Sequence, residues 1–300
     1  MWCKIYLVMK YARCSLPFIG ILPLWLLLTA CSSLKPAETA PAKPTPAEQP
    51  KVSGGPTAAE HILQGDGRYT RLDEQGALDA YLAAVQQEPD NYEALWKAAR
   101  GLEDLSDLII GQDPASKEKR LKMYGDAVAY ATRAVAANPD DTWGHCFLSS
   151  SLGKRVVLMS IKDQINASKK IRAEIDKAIE LDGTNDLAYH GLGRWQRRAA
   201  EIVGSKRFLG ALIYGSVPEG SFAEAEAAFK KAIELKPDYL DHHLELARTY
   251  MAMEQYDLAV TEYQKAIDLA PLIAKDKDFK AEAAIEIQKA REKQKRPLPS

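Results

Sequence analysis

An all-α solenoid of antiparallel helix pairs is the fold class that this 300-residue chain predicts. The first observation is a phrase, Ala-x-x-x-aromatic-x-x-Ala and its variants, that recurs at fixed offsets ahead of a helix-stopping residue. It reads Ala77, Tyr81, Ala84 before Pro89; Ala127, Ala131, Ala134 before Pro139; and Ala225, Phe229, Ala232 before Pro237. Ala259, Tyr263 and Ala266 precede Pro271, and a degenerate copy has Ile171, Ile175 and Ala178 before Gly183. The second observation is a partner phrase nine or ten residues beyond each stop: Ala98-Ala99, Leu148-Ser149, Leu192-Gly193 and Leu246-Ala247. Small residues let two helices approach closely, and aromatics fill the space between them. The third is contrast, because the first 58 residues carry no such phrase.

Residues 1–30 read as a signal segment. Lys4, Lys10 and Arg13 form a basic start without acids, and an apolar run from Ser15 to Ala30 follows. The run is short for a membrane span of about 20 residues, and it ends in small residues, as a cleavage site does. Leu28-Thr29-Ala30-Cys31 resembles the bacterial lipobox, which implies cleavage before Cys31 and acylation of that cysteine. Ser32, rather than Asp, follows it. By analogy with enteric lipoproteins this favours the outer membrane, facing the periplasm. Residues 31–58 form a linker with six prolines between Pro36 and Pro56. That composition cannot bury a core, and some 20 residues of it reach roughly 60 Å in extended form. Removing the signal takes three basic residues and no acid, leaving a net charge of −4. Nothing there points to nucleic acid. Cys146 is the one unmodified cysteine left, so helix packing has to stabilise the domain.

The repeat region spans 59–273, followed by a capping helix over 274–296. The stops at 89, 139, 183, 237 and 271 lie 50, 44, 54 and 34 residues apart, so the first three units carry extra residues between their two helices. Gly101–Ser116 reads as a loop holding Leu105, Leu108, Ile109 and Ile110; Arg155–Asn166 reads as helix extension without a turn. Gly204–Ser221 reads as a second loop with an apolar cluster of Phe208, Leu209, Leu212, Ile213 and Tyr214. The last unit, with Leu246, Ala247, Tyr250, Ala259, Tyr263, Ala266 and Pro271, resembles the tetratricopeptide repeat. The resemblance implies a right-handed superhelix and a scaffold for protein–protein interactions.

A more specific likeness covers roughly residues 120–270. Ile165-Asn-Ala-Ser168, Ile175-Asp-Lys-Ala-Ile-Glu-Leu181, Leu192-Gly-Arg-Trp195, Phe222-Ala-Glu-Ala-Glu-Ala-Ala-Phe229 and Lys236-Pro237 resemble the regulator of microtubule dynamics family. The resemblance implies the fold and the inserts. A lipoprotein facing the periplasm meets no microtubule, so that part of the family's function is not expected here.

No catalytic, cofactor or metal residue is expected. Gly191-Leu-Gly193 falls inside a helix with no preceding strand, which fails the context of a dinucleotide site. His242 and His243 are adjacent, and neighbours on a helix diverge by about 100°. In the repeat fold, positions 2, 5, 9 and 12 of each first helix face the concave side. This makes Trp96, Arg100, Trp143, His190, Arg194, Arg197 and Arg248 the candidate groove contacts. Arginine forks bind carboxylates and phosphates in bidentate fashion. The plainer reading is that these arginines bridge to neighbouring acids such as Glu245 or Asp241. Two functions are in view. One is a membrane-anchored scaffold for envelope proteins or peptides, for instance in a TonB-type uptake or wall-assembly system. The other is a binding or carrier module for an anionic amphipathic ligand or lipid, with Phe208–Tyr214 as a lid.

Overall fold

The computed structural model describes residues 55–202, 207, 210–212 and 217–295. Its helices come in pairs: α1 (Ala58–Tyr69) with α2 (Glu74–Gln87), α3 (Tyr92–Asp107) with α4 (Pro114–Ala137), and α5 (Thr142–Val157) with α6 (Ile161–Leu181). Then follow α7 (Asp186–Ala200) with α8 (Phe222–Leu235), α9 (Leu240–Ala252) with α10 (Tyr256–Asp268), and α11 (Asp276–Gln294) against α10. Each pair packs on the next, the stacking of a tetratricopeptide-like α-solenoid. None of the described helices is long and apolar enough to cross a membrane.

The recurring phrases build the core. All fifteen of their residues are buried, the most exposed being Ile171 at 8 %. Glycine on the first helix makes room for the aromatic on the second. A Cβ on Gly65 would lie 2.4 Å from the Tyr81 ring, and one on Gly193 would lie 2.7 Å from the Phe229 ring. Both rings are fully buried, so neither can swing aside.

Two of the three inserts differ from the sequence expectation. Gly101–Ser116 is mostly helical: α3 continues to Asp107, and α4 starts at Pro114 under an Asp113 cap. Gly101 serves close packing instead of a turn, with Leu78 Cβ 3.3 Å from where its own Cβ would be. Arg155–Asn166 is broken, because Ser160 caps a new helix by accepting from the Asp163 amide. The connection after α7 is held by Arg207, which donates to the carbonyls of Ile202, Ala199 and Pro218. Phe208, Leu209, Ile213 and Tyr214, which carry the lid expectation, lie outside the described residues.

The first helices of successive pairs are joined by a polar seam. Lys97 of α3 reaches Asp66 of α1 at 2.6 Å, and Glu103 of α3 accepts from Ser150 and Ser151 of α5 at 2.6 and 2.5 Å. Asn185, the α7 cap, donates to Thr142 of α5 at 2.9 Å; Arg197 of α7 pairs with Glu245 of α9; Arg248 of α9 pairs with Glu282 of α11 at 2.5 Å. The superhelix then closes on itself. The amide of Ala274, in the turn before α11, donates to the Glu74 carboxylate at the start of α2, 2.6 Å away and 200 residues apart in sequence. Asp276 holds the same turn by accepting from the amides of Leu272 and Ile273.

Candidate functional site: a charged chamber inside the superhelix

A half-open cavity of about 260 Å³ lies between α3, α4, α5, α7, α9 and the start of α11. Its wall carries four acids (Asp104, Asp107, Asp241, Glu245) and six bases (Arg120, Lys154, Arg194, Arg198, Arg248, Lys275). Most are bound to one another. Lys154 lies 2.5 Å from Asp107 and 3.2 Å from Glu103. Glu245 receives Arg197, Arg248 at 2.7 Å and Arg194 at 3.7 Å. Burial pushes the Glu245 carboxyl up, but the guanidiniums of Arg197, Arg194 and Arg248 outweigh it and hold the group well below the carboxylate range. Asp107 is likewise raised by burial and drawn down on balance by Lys154.

Two carboxylates each keep one oxygen outside this network, Asp104 being held by the Tyr69 hydroxyl through its other one. Asp104 Oδ2 and Asp241 Oδ1 are buried without a hydrogen-bond partner among the described residues, as are Ser106 Oγ and Arg120 Nε on the same wall. Burial pushes Asp104 up to about 7 and, with the Glu245 charge, Asp241 up to about 6. The other Asp241 oxygen faces a buried histidine chain. His242 Nε2 is 2.9 Å from Asp186, His242 Nδ1 is 3.0 Å from His190 Nδ1, and His190 Nε2 is 3.5 Å from Asp241 Oδ2. Burial lowers the pKa of both rings, keeping them neutral. With His242 Nε2–H donating to Asp186, its Nδ1 accepts from His190 Nδ1–H, which leaves His190 Nε2 without a proton. A deprotonated Asp241 therefore gains no donor from that side.

The folded Asp104 carboxyl lies above the unfolded value of about 3.9, so its contribution to stability is full below that pH and is lost as pH rises to about 7. Asp104→Asn should raise the melting temperature at pH 8 and leave it nearly unchanged at pH 4. An equal shift at both values would show that the buried charge is not the cause.

Of the seven groove candidates, Arg194 and Arg248 line the chamber and the other five do not. Trp96 and Trp143 stack on each other at 5.2 Å and on Phe147, filling the core between α3 and α5. Arg100 lies 3.8 Å over the Tyr69 ring and donates to the Tyr81 hydroxyl. His190 is buried against His242, and Arg197 is consumed by Glu245 and Glu201. The physical reason is that these five side chains are spent between neighbouring helices, while the cavity is bounded by the C-terminal turns of α3, α5 and α7 and by the N-terminal half of α9. Asp104, Asp107, Lys154 and Arg198 occupy those turns. The signal that could have found the acids is their i, i+3 spacing in a stretch read as loop.

These helix pairs and their polar inner seam define a tetratricopeptide-like repeat protein with a charged, half-open chamber. The family described as Regulator of microtubule dynamics protein 1-3 matches residues 61–291, and the chain belongs to that family. It is similar to "Regulator of microtubule dynamics protein 1" of Bos taurus, 27 % identical over 204 residues, covering 68 % of this chain and 63 % of that one. The Caenorhabditis elegans protein of the same description is 26 % identical over 195 residues, covering 65 % of this chain and 84 % of that one. The chain thus spans somewhat under two thirds of the bovine relative's length. Among solved structures, a thermophilic TPR protein of Thermus thermophilus is similar in fold, with a TM-score of 0.55, 19 % identity, and coverage of 77 % of this chain and 100 % of that one.

Proposed function

We propose that the protein is a non-enzymatic scaffold that binds other proteins at the bacterial envelope, anchored through a lipid on Cys31 and facing the periplasm. The observation that carries the binding role is a set of exposed apolar side chains at the connections between first and second helices. Ile110 is 81 % exposed, Ile161 67 % and Leu212 73 %. Ile110 and Ile161 stand where α4 and α6, at 24 and 21 residues, outgrow the 13-residue helices of the regular α9–α10 pair, and Leu212 stands in the long connection between α7 and α8. Exposed apolar side chains repeated at one kind of connection mark a surface that a partner covers. Partners in a TonB-type uptake or wall-assembly system fit this reading. A photo-crosslinker at Ile110 or Ile161 should capture one envelope protein that a crosslinker at exposed Lys230 does not. Equal capture from all three positions, or none, overturns the reading.

The anchor is tested separately. Cys31→Ser removes the acyl acceptor, and metabolic labelling with a palmitate analogue should vanish while the protein leaves the membrane fraction. Label that persists in the variant contradicts lipidation at Cys31.

A second reading has its own observation. The chamber wall holds more bases than acids, and Val157, Leu158, Ile273 and Phe279 share it. An anionic amphipathic ligand would place its charge on Arg194, Arg198 and Arg248 and its apolar part against those four.

A further inference from the structure

Four side chains of α7 and α9 form one line: Asp186, His242, His190 and Asp241. None is more than 14 % exposed, and His242 is fully buried. The line has three junctions. They measure 2.9 Å from Asp186 to His242 Nε2, 3.0 Å between the two Nδ1 atoms, and 3.5 Å from His190 Nε2 to Asp241 Oδ2. Each junction needs one hydrogen, and a neutral imidazole carries one. Two neutral rings between two carboxylates therefore supply two hydrogens for three junctions. Exchanging tautomers moves the gap along the line and never removes it. The distances show where the gap lies, since two junctions have hydrogen-bond length and the one at Asp241 is too long. Asp241 also keeps its other oxygen, Oδ1, buried without a partner among the described residues.

We propose that this line is a buried proton-binding site joining α7 to α9, completed when one proton from solvent makes Asp241 a carboxylic acid that donates Oδ2–H to His190 Nε2. Three hydrogen bonds then run in one direction, from Asp241 through both rings to the Asp186 carboxylate. The line loses one of its two negative charges, and α7 gains a third bond to α9. The charged groups facing Asp241 are Glu245 and Arg248 of α9, Arg194 of α7 and Lys154 of α5. Around the rings stand Tyr239 and His243, Lys236 at the end of α8 and the Phe229 edge, and Cys146 of α5 faces Asp186. Burial, with the Glu245 charge, raises Asp241 to about 6 against the three cations. Burial lowers both rings, so the proton settles at the carboxyl end. Because the folded value lies above the unfolded one of about 3.9, the third bond contributes fully below that pH and is lost as pH rises through about 6. Mild acid thus tightens the α7–α9 seam, and near neutrality the freed charge joins the chamber wall. The inference goes beyond the scaffold and amphipathic-anion readings and depends on neither.

NMR of nitrogen-15 in the histidine rings and carbon-13 in the aspartate carboxyls, followed on the full-length protein from about pH 4.5 to 8, tests this. The Asp241 carboxyl should titrate with a midpoint of about 6, and His190 and His242 should shift at that same midpoint while each ring keeps a single hydrogen. In Asp241→Asn the amide donates to His190 Nε2 at every pH, so the joint step should vanish from both rings. Melting gives a second readout, taken with Asp104→Asn throughout so that this group's titration does not enter. Between about pH 5 and 7.5 the melting temperature should fall by about 4 °C more without Asp241→Asn than with it. Rings that titrate separately to imidazolium, or an Asp241 carboxyl still ionised at the acid end, overturn the proposal on the wild type alone, whether or not the variant folds. A joint step that survives Asp241→Asn, or a melting difference indifferent to pH, overturns it as well.

Discussion

Glu245→Ala is expected to destabilise the domain by about 3 kcal/mol or more, the range for removing one partner of a buried ion network. Glu245 has a side chain only 4 % exposed and receives Arg194, Arg197 and Arg248. Its removal leaves three guanidiniums near one another with Asp241, Glu282 and Glu201 as the remaining local acids. Guanidinium denaturation at pH 7 measures the loss. The pH dependence carries the sign: because the folded carboxyl lies below the unfolded value of about 4.3, its stabilisation is present above that pH and disappears only in stronger acid. The difference between wild type and variant should therefore be constant from pH 5 to 8 and shrink at lower pH. A difference below about 1 kcal/mol, the range of an exposed pair, would mean that the network does not hold α7 to α9.

Phe229→Ala is expected to cost about 3–5 kcal/mol, the range for deleting a buried ring. The ring is fully buried, meets the edge of His190 at 5.7 Å and fills the space that Gly193 leaves. Repeats couple mainly to their neighbours, so hydrogen exchange should quicken in α7, α8 and α9 before α1 and α2. Uniform acceleration across the domain would contradict a repeat architecture.

The core was legible because packing repeats: Ala225, Phe229 and Ala232 stand at the same offsets as Ala259, Tyr263 and Ala266, and all six are buried. Helix limits were less so. Gly101 looks like a turn residue and is a contact residue, while Arg155–Asn166 reads as continuous helix and is broken at the Ser160 cap. The chamber was legible only in part. Arg194 and Arg248 follow from position in the repeat, and the plainer pairing with Glu245 foresaw their partner. Asp104 and Lys154 did not follow, since they depend on how tightly successive pairs wind, and winding is set by many small contacts with no local signature. The Glu74 to Ala274 closure joins residues 200 apart and leaves no periodic trace.

That closure is the contact most open to test, because the bond between the start of α2 and the turn into α11 is what joins the two ends of the superhelix. Site-resolved hydrogen exchange at the Ala274 amide measures it. In the wild type this amide should exchange far more slowly than an exposed one, and Glu74→Ala should release its protection while α9 and α10 stay protected. Free exchange at Ala274 in the wild type, or protection indifferent to Glu74→Ala, would mean that the two ends of the superhelix do not meet.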